Sequence, residues 1–344
     1  MRKQYHAVDA FKFFCAFLII VLHTSPFLSY SKIINFGFRQ IITTIAVPCF
    51  FIISGFLFAE KVQQFSVIDK KTYIKKYLGR IATIYVIWSF VYLGFTVREW
   101  IAEGFRVEYL LYYARDFFLE GSYATIWFLP ALFFSVLIVY LLHKKLSYKS
   151  MLFISGFIYI FTLLGTSYYD ISLKITPLAH FYDLYYSVFE TMKNGVFFGF
   201  IFVNLGGILA EYKDSIKITQ KKNIILIGIF WAFLAGEQFV RQLFSHSKSC
   251  DTVIMLIPLC FLLCYLFISL ELKNHSVYSK LRKYSMCMFL CQRIPMSIID
   301  IWFSDSVIYT NSIAYFLIVF IATMLISTII IQGSKKVKVL KYLY

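Results

Sequence analysis

The chain has 344 residues, 60% hydrophobic, 20% aromatic and only 15% charged, with a mean hydropathy of +0.72. No soluble domain of this length hides so much apolar surface, so the composition reads as an all-α, polytopic membrane protein. The formal net charge of +16 lies in short segments between apolar runs, an orientation signal toward a cytosol and its anionic leaflet rather than a nucleic-acid footprint.

Apolar stretches of spanning length fall at 7–28, 37–59, 80–101, 125–142, 150–169, 194–212, 223–241, 252–272, 284–304 and 309–332. That predicts about ten transmembrane helices, and an even number puts both termini on one side. Lys and Arg concentrate in Arg2–Lys3 and in 61–80, 144–149, 213–222, 273–283 and 335–341, which argues for N-in and C-in. The stretch 107–123 reads as a surface or re-entrant helix, and 177–190 is too polar to span. Residues 1–344 form a single membrane domain without a repeat or long linker. The first apolar run carries Asp9 and Lys12 at its start and no small-residue cleavage site, so it is expected to span rather than to be a signal peptide.

That first run, Val8–Pro26, reads VDAFKFFCAFLIIVLHTSP. An imidazole in hydrocarbon is costly, which makes His23 a functional candidate. Lys12 precedes it by three turns plus roughly 20°, and Asp9 precedes Lys12 within about 60°, so all three share one helix face. Lys12 and His23 are separated by roughly 16 Å of rise and cannot touch. The spacing suits a ligand lying along the helix, such as an acyl thioester on a long arm with its phosphates at the cytosolic mouth. A neutral imidazole can take the proton from an attacking hydroxyl, as acyl transfer requires. The plainer alternatives are a histidine bonded to a neighbouring carbonyl and a lysine snorkelling to the interface.

Further along, Ala46–Phe58 (AVPCFFIISGFLF) reads as a helix broken at Pro48 and near Ser54–Gly55, lining a cavity or merely kinked for packing. The segment 61–80 supplies Lys75, Lys76 and Arg80, for lipid attraction, for coenzyme phosphates, or for both. Trp127 in TIWFLPAL sits at the outer interface. Glu190, Lys193 and Asn194 open a span facing the outer leaflet. Glu237 and Arg241 stand at i,i+4 and are expected to pair, while mid-span Arg293, beside Gln292, needs Glu237 or Asp300 as its partner. Six of seven cysteines lie in apolar runs; they read as small buried hydrophobes, and no metal set is expected.

Taken in order, these segments resemble the acyltransferase family 3 proteins, integral membrane O-acyltransferases of bacterial envelopes. The carriers are Asp9-Ala10-Phe11-Lys12 with His23, the run Val47–Leu57, Trp127–Leu132 and the basic stretch Lys75–Arg80. Lys12 stands where the family has Arg, Gln292 near where members often carry a histidine, and Tyr77 where a further arginine would fall. Within the family, HTSP at 23–26, WFLPA at 127–131 and KNGVFF at 193–198 look most like the membrane module of the vancomycin-resistance serine racemases. The resemblance implies a multi-pass protein of the bacterial cytoplasmic membrane with no bound cofactor and acyl-CoA (acetyl-CoA) as co-substrate. It would move an acetyl or similar group to an envelope polysaccharide or lipid-linked sugar. His23, Asp9 and Lys12 would be catalytic; Lys75, Lys76 and Arg80 would bind the coenzyme; Ser54, Trp127, Glu190 and Asn194 would bind the acceptor. The rival expectations are a small-solute, serine-like transporter and a non-catalytic envelope-assembly subunit.

Overall fold

A computed structural model describes residues 4–244, 246–303 and 310–344. Arg2, Lys3 and the expected span edges at Ser304 and Tyr309 lie outside the described residues. All regular elements among those described are helical. Seven helical stretches are long and apolar enough to cross a membrane: His6–Thr24, Lys32–Gln63, Ile68–Ala102, Tyr148–Gly165, Gly195–Tyr212, Gln220–Arg241 and Ser312–Gly333. Phe128–Leu142 and Leu256–Ser269 are apolar but shorter. The stretch expected as a ninth span is instead two helices, Ser276–Cys291 and Arg293–Trp302, hinged at Gln292.

We label the helices α1 (His6–Thr24), α2 (Lys32–Phe36), α3 (Ala46–Gln63), α4 (Val67–Ala102), α5 (Glu108–Leu119), α6 (Phe128–Leu142) and α7 (Tyr148–Gly165). There follow α8 (Tyr169–Leu173), α9 (Thr176–Val188), α10 (Phe200–Tyr212), α11 (Gln220–Arg241), α12 (Leu256–Ser269), α13 (Ser276–Cys291), α14 (Arg293–Trp302) and α15 (Ser312–Gly333). Their starts follow from capping side chains. Ser66, Ser147, Thr219 and Asn311 each accept a backbone N–H two or three residues on, at the heads of α4, α7, α11 and α15.

α1, α3, α10, α12 and α13 make the interior, with α3 packed most extensively on α10. Glycine explains that closeness. A Cβ at Gly55 would collide with the Val203 carbonyl oxygen, and one at Gly206 with the Ile52 carbonyl oxygen. Without a hydrophobic force between helices in lipid, such close backbone approach supplies the dispersion that holds them together. Around this interior, α4, α11 and α15 turn Phe90, Phe233 and Ile329 outward, the pattern of a lipid-facing belt. α5 buries none of its residues and runs along the surface, the first of the two alternatives for 107–123.

The expected break at Pro48–Gly55 is not there: α3 runs unbroken from Ala46 to Gln63. The irregular backbone comes earlier, as a π turn at Gly37–Ile42 and a 3-10 turn at Thr43–Ile45. Pro48 has no N–H to donate to the preceding turn, so the ladder changes register before it rather than after. The basic segment 61–80, expected as a loop between spans, is largely helical. Apart from a short link at 64–66 it is the end of α3 and the first half of α4, which carries Lys75, Lys76 and Arg80 in helical array.

Candidate functional site

His23 stands in the last turn of α1, which ends at Ser25 with φ of 47° and a hydrogen bond from the Ser25 N–H to the Val21 carbonyl. The end of that helix opens into an internal cavity of about 170 Å3. His23 is one wall, and it makes no side-chain hydrogen bond among the described residues, so the alternative of an imidazole tied to a neighbouring carbonyl does not hold. The irregular turns before α3 supply Thr43 and Thr44, whose hydroxyls donate to the carbonyls of Arg39 (2.7 Å) and Gln40 (3.2 Å). Pro48 closes the same side. Trp127, Phe128, Phe198 and Phe289 form the apolar walls, with Trp127 and Phe198 rings 6.0 Å apart and edge-on. Thr125, almost fully buried, also lines the cavity, with its hydroxyl facing that of Tyr92.

Two charged residues complete it. Lys193 Nζ lies 2.5 Å from Asp251 Oδ2, and both line the cavity. Burial pushes the Asp251 carboxyl up, yet the Lys193 ammonium, helped by Arg39, holds it below the usual carboxylate range. The loop bearing Asp251 is tied down by the end of α11. Glu237 accepts from the Ile254 and Met255 N–H groups at 2.6 and 2.8 Å and from the Tyr168 hydroxyl at 2.5 Å. Gln238 donates to the Cys250 carbonyl at 3.1 Å. This corrects the expected Glu237–Arg241 pair: Arg241 donates to Gln238 at 2.9 Å instead, because the free N–H groups at the head of α12 compete for the carboxylate. Arg293 likewise pairs with neither expected acid. Its Nη1 lies 3.8 Å from Met296 Sδ, and its buried Nε has no hydrogen-bond partner among the described residues.

The remaining expected site residues fall into two groups. At the far end of α1, Asp9 Oδ2 lies 3.8 Å from Arg282 Nη1 on α13. Arg282 and Arg80 are both within electrostatic reach of Lys12, which makes no ion pair among the described residues. Lys75 and Lys76 are exposed on α4. Of the four acceptor candidates Trp127 lines the cavity, as a half-buried wall. Ser54 lies on α3 away from it. Glu190 is exposed and 3.0 Å from Arg115 Nη2. Asn194 caps the π turn Gly195–Gly199, accepting from the Val196 and Phe197 N–H groups.

Sequence reasoning placed Lys193 on the outer surface and did not single out Asp251, Thr43, Thr44 or Thr125. Only spatial assembly brings these separated positions together. The buried cysteines sit at helix contacts, with Cys260 and Cys264 Sγ near the carbonyls of Ile45 and Cys49. No cluster of His, Cys, Asp and Glu suited to a metal ion occurs among the described residues.

Fold and cavity define a multi-pass membrane protein with a histidine-bearing internal pocket. Residues 5–332 match the family model described as an acyltransferase domain, and the chain belongs to the acyltransferase 3 family. Similar proteins include an amino-acid racemase of Enterococcus faecalis, 31% identical over 75% of this chain and 35% of its own length. A second E. faecalis amino-acid racemase is 26% identical over 99% of this chain and 48% of its own length. A serine/alanine racemase of Enterococcus gallinarum is 23% identical over 92% and 44%. The chain thus spans less than half the length of these relatives. No solved structure matches it.

Proposed function

We propose that the protein is an O-acyltransferase of the bacterial cytoplasmic membrane, moving an acetyl or similar acyl group from cytosolic acyl-CoA to a hydroxyl of an envelope polysaccharide or lipid-linked sugar. One observation carries the reading: His23, without a side-chain hydrogen bond among the described residues, opens into an apolar-walled cavity that also holds Lys193 and Asp251 at one end of α1, while Arg282 and Arg80 lie within electrostatic reach of Lys12 at the other. The rise between Lys12 and His23, roughly 16 Å at 1.5 Å per residue, suits a thioester arm lying along the helix.

In this reading the acceptor hydroxyl sits beside Trp127 and gives its proton to the His23 imidazole as its oxygen attacks the thioester carbonyl. The new C–O bond forms, the C–S bond breaks, and the leaving thiolate takes the proton back from His23. The Lys193 ammonium and the Thr125 hydroxyl, both lining the cavity, are suited to the oxyanion of the tetrahedral intermediate. Asp9, held by Arg282, and Lys12 order the channel below. Asn194 acts by capping the turn next to Lys193.

The test is acyl transfer from labelled acetyl-CoA in vesicles holding the protein. His23→Ala should lower the rate by about 10²-fold or more, the usual contribution of a general base, with unchanged thermal melting. Full activity in that variant, or solute uptake with no acyl-CoA consumed, would overturn the assignment and favour the transporter.

A further inference from the structure

We propose that Arg80, Lys338 and Lys341 together form a phosphate-binding site, so that the turn following α15 is a working part of the donor site. The proposal rests on the acyl-transfer reading for its ligand and on the structure for its residues.

Beyond Gly333 the chain folds back, and a 3-10 turn at Lys338–Leu343 lies against α4. Three hydrogen bonds fasten it. Trp88 Nε1 donates to the Leu343 carbonyl at 3.0 Å, Arg80 Nη2 to the Tyr344 carbonyl at 3.3 Å, and the Ser334 and Tyr344 hydroxyls are 2.7 Å apart. Beneath it lies a cavity of about 450 Å3, larger than the one at His23. Its walls include Arg80, Thr83, Lys338, Lys341, Tyr342 and Tyr344, and no lining side chain is acidic. Lys338 and Lys341 make no ion pair among the described residues, and Arg80 meets the Tyr344 backbone oxygen.

Arg80 has the Tyr344 oxygen beside it, but the two lysines that converge on the same concavity repel each other and Arg80 unless an anion joins them. A guanidinium offers a planar two-pronged donor set, and two ammoniums add mobile point charges, the combination that suits phosphate. Tyr342 and Tyr344 add aromatic faces on which a planar base can pack. Since Arg80 is also within electrostatic reach of Lys12, this cavity belongs to the end of α1 opposite His23, where the phosphates of an extended donor would remain. Lys75 and Lys76 line none of it, so the lysines of the 3-10 turn take the place expected for them.

Adenosine 3′,5′-bisphosphate binding to the full chain, measured calorimetrically in nanodiscs of zwitterionic lipid, reads the site directly. The double variant Lys338→Gln/Lys341→Gln should weaken binding at least tenfold, and Lys338→Arg/Lys341→Arg should restore it. The charge-matched control Lys221→Gln/Lys222→Gln on α11 should bind as the parent does. Native mass spectrometry in anionic phospholipid gives the second source of phosphate: retained headgroups lost only in the Gln double variant assign the site to lipid. Binding and retention both unchanged in that variant would overturn the proposal, while transfer lost in His23→Ala would leave the acyl-transfer reading standing. Bisphosphate binding without any transfer would do the reverse.

Discussion

Asp251 and Lys193 show how one ion pair sets the character of the cavity. A carboxylate this close to an ammonium is acceptor and counter-charge at once, and it keeps Lys193 beside His23 rather than at the interface. Because the folded carboxyl titrates below its ordinary value, its stabilising contribution is complete above the unfolded pKa, about 3.9. That contribution is lost as pH falls through the lower folded value. The parent should therefore melt higher than Asp251→Asn at neutral pH, with the gap constant down to about pH 4 and closing below it. A gap that widens on acidification would contradict the pair's role. The pair also explains why neither residue alone draws attention: they are far apart in the chain, and each is an ordinary loop charge until the other is placed against it.

At the level of helices, the contact of α3 with α10 is set by backbone approach at Gly55 and Gly206. Any side chain at Gly55 must push the two helices apart, so Gly55→Val should cost roughly 1–3 kcal/mol as overpacking. Gly94, on the exposed side of α4, has open space around its Cα. Gly94→Ala should stabilise by about 0.5–1 kcal/mol through helix propensity. Detergent-solubilised thermal melts compare the two, and equal effects would refute the packing account. The sequence marked Gly55 as a place for close packing or for unwinding. Tertiary contact chose packing, because an intact helix satisfies its own carbonyls where no water reaches. The irregularity moved to residues 37–45, where it contributes Thr43 and Thr44 to the cavity.

For the whole molecule, the expected N-in topology makes a prediction independent of chemistry. In a Cys250→Ser background, a cysteine placed at Lys76 should react with an impermeant thiol reagent only from the cytosolic side, and one at Lys174 only from outside. The reverse pattern would invert the proposed direction of acyl transfer. The same architecture gathers cations at one end of α1 and leaves a cavity with an unbonded imidazole at the other. The proposed acyltransferase, with a cytosolic donor and an acceptor from the other side, needs such a separation between its two ends.

Composition and apolar run length alone determined that the chain is an all-helical membrane protein, and three-residue and eleven-residue spacings put Asp9, Lys12 and His23 on one face of its first helix. Those inferences hold because bilayer thickness and helical pitch act locally, on consecutive residues. What surrounds the two ends of α1 was settled only in three dimensions: at His23, Lys193 and Asp251 meet across 58 positions, and at the other end Arg282 reaches Asp9 from α13 and a turn near residue 340 lies against α4 beside Arg80. No periodicity records such meetings, since they depend on which helices pack together and where their ends fall.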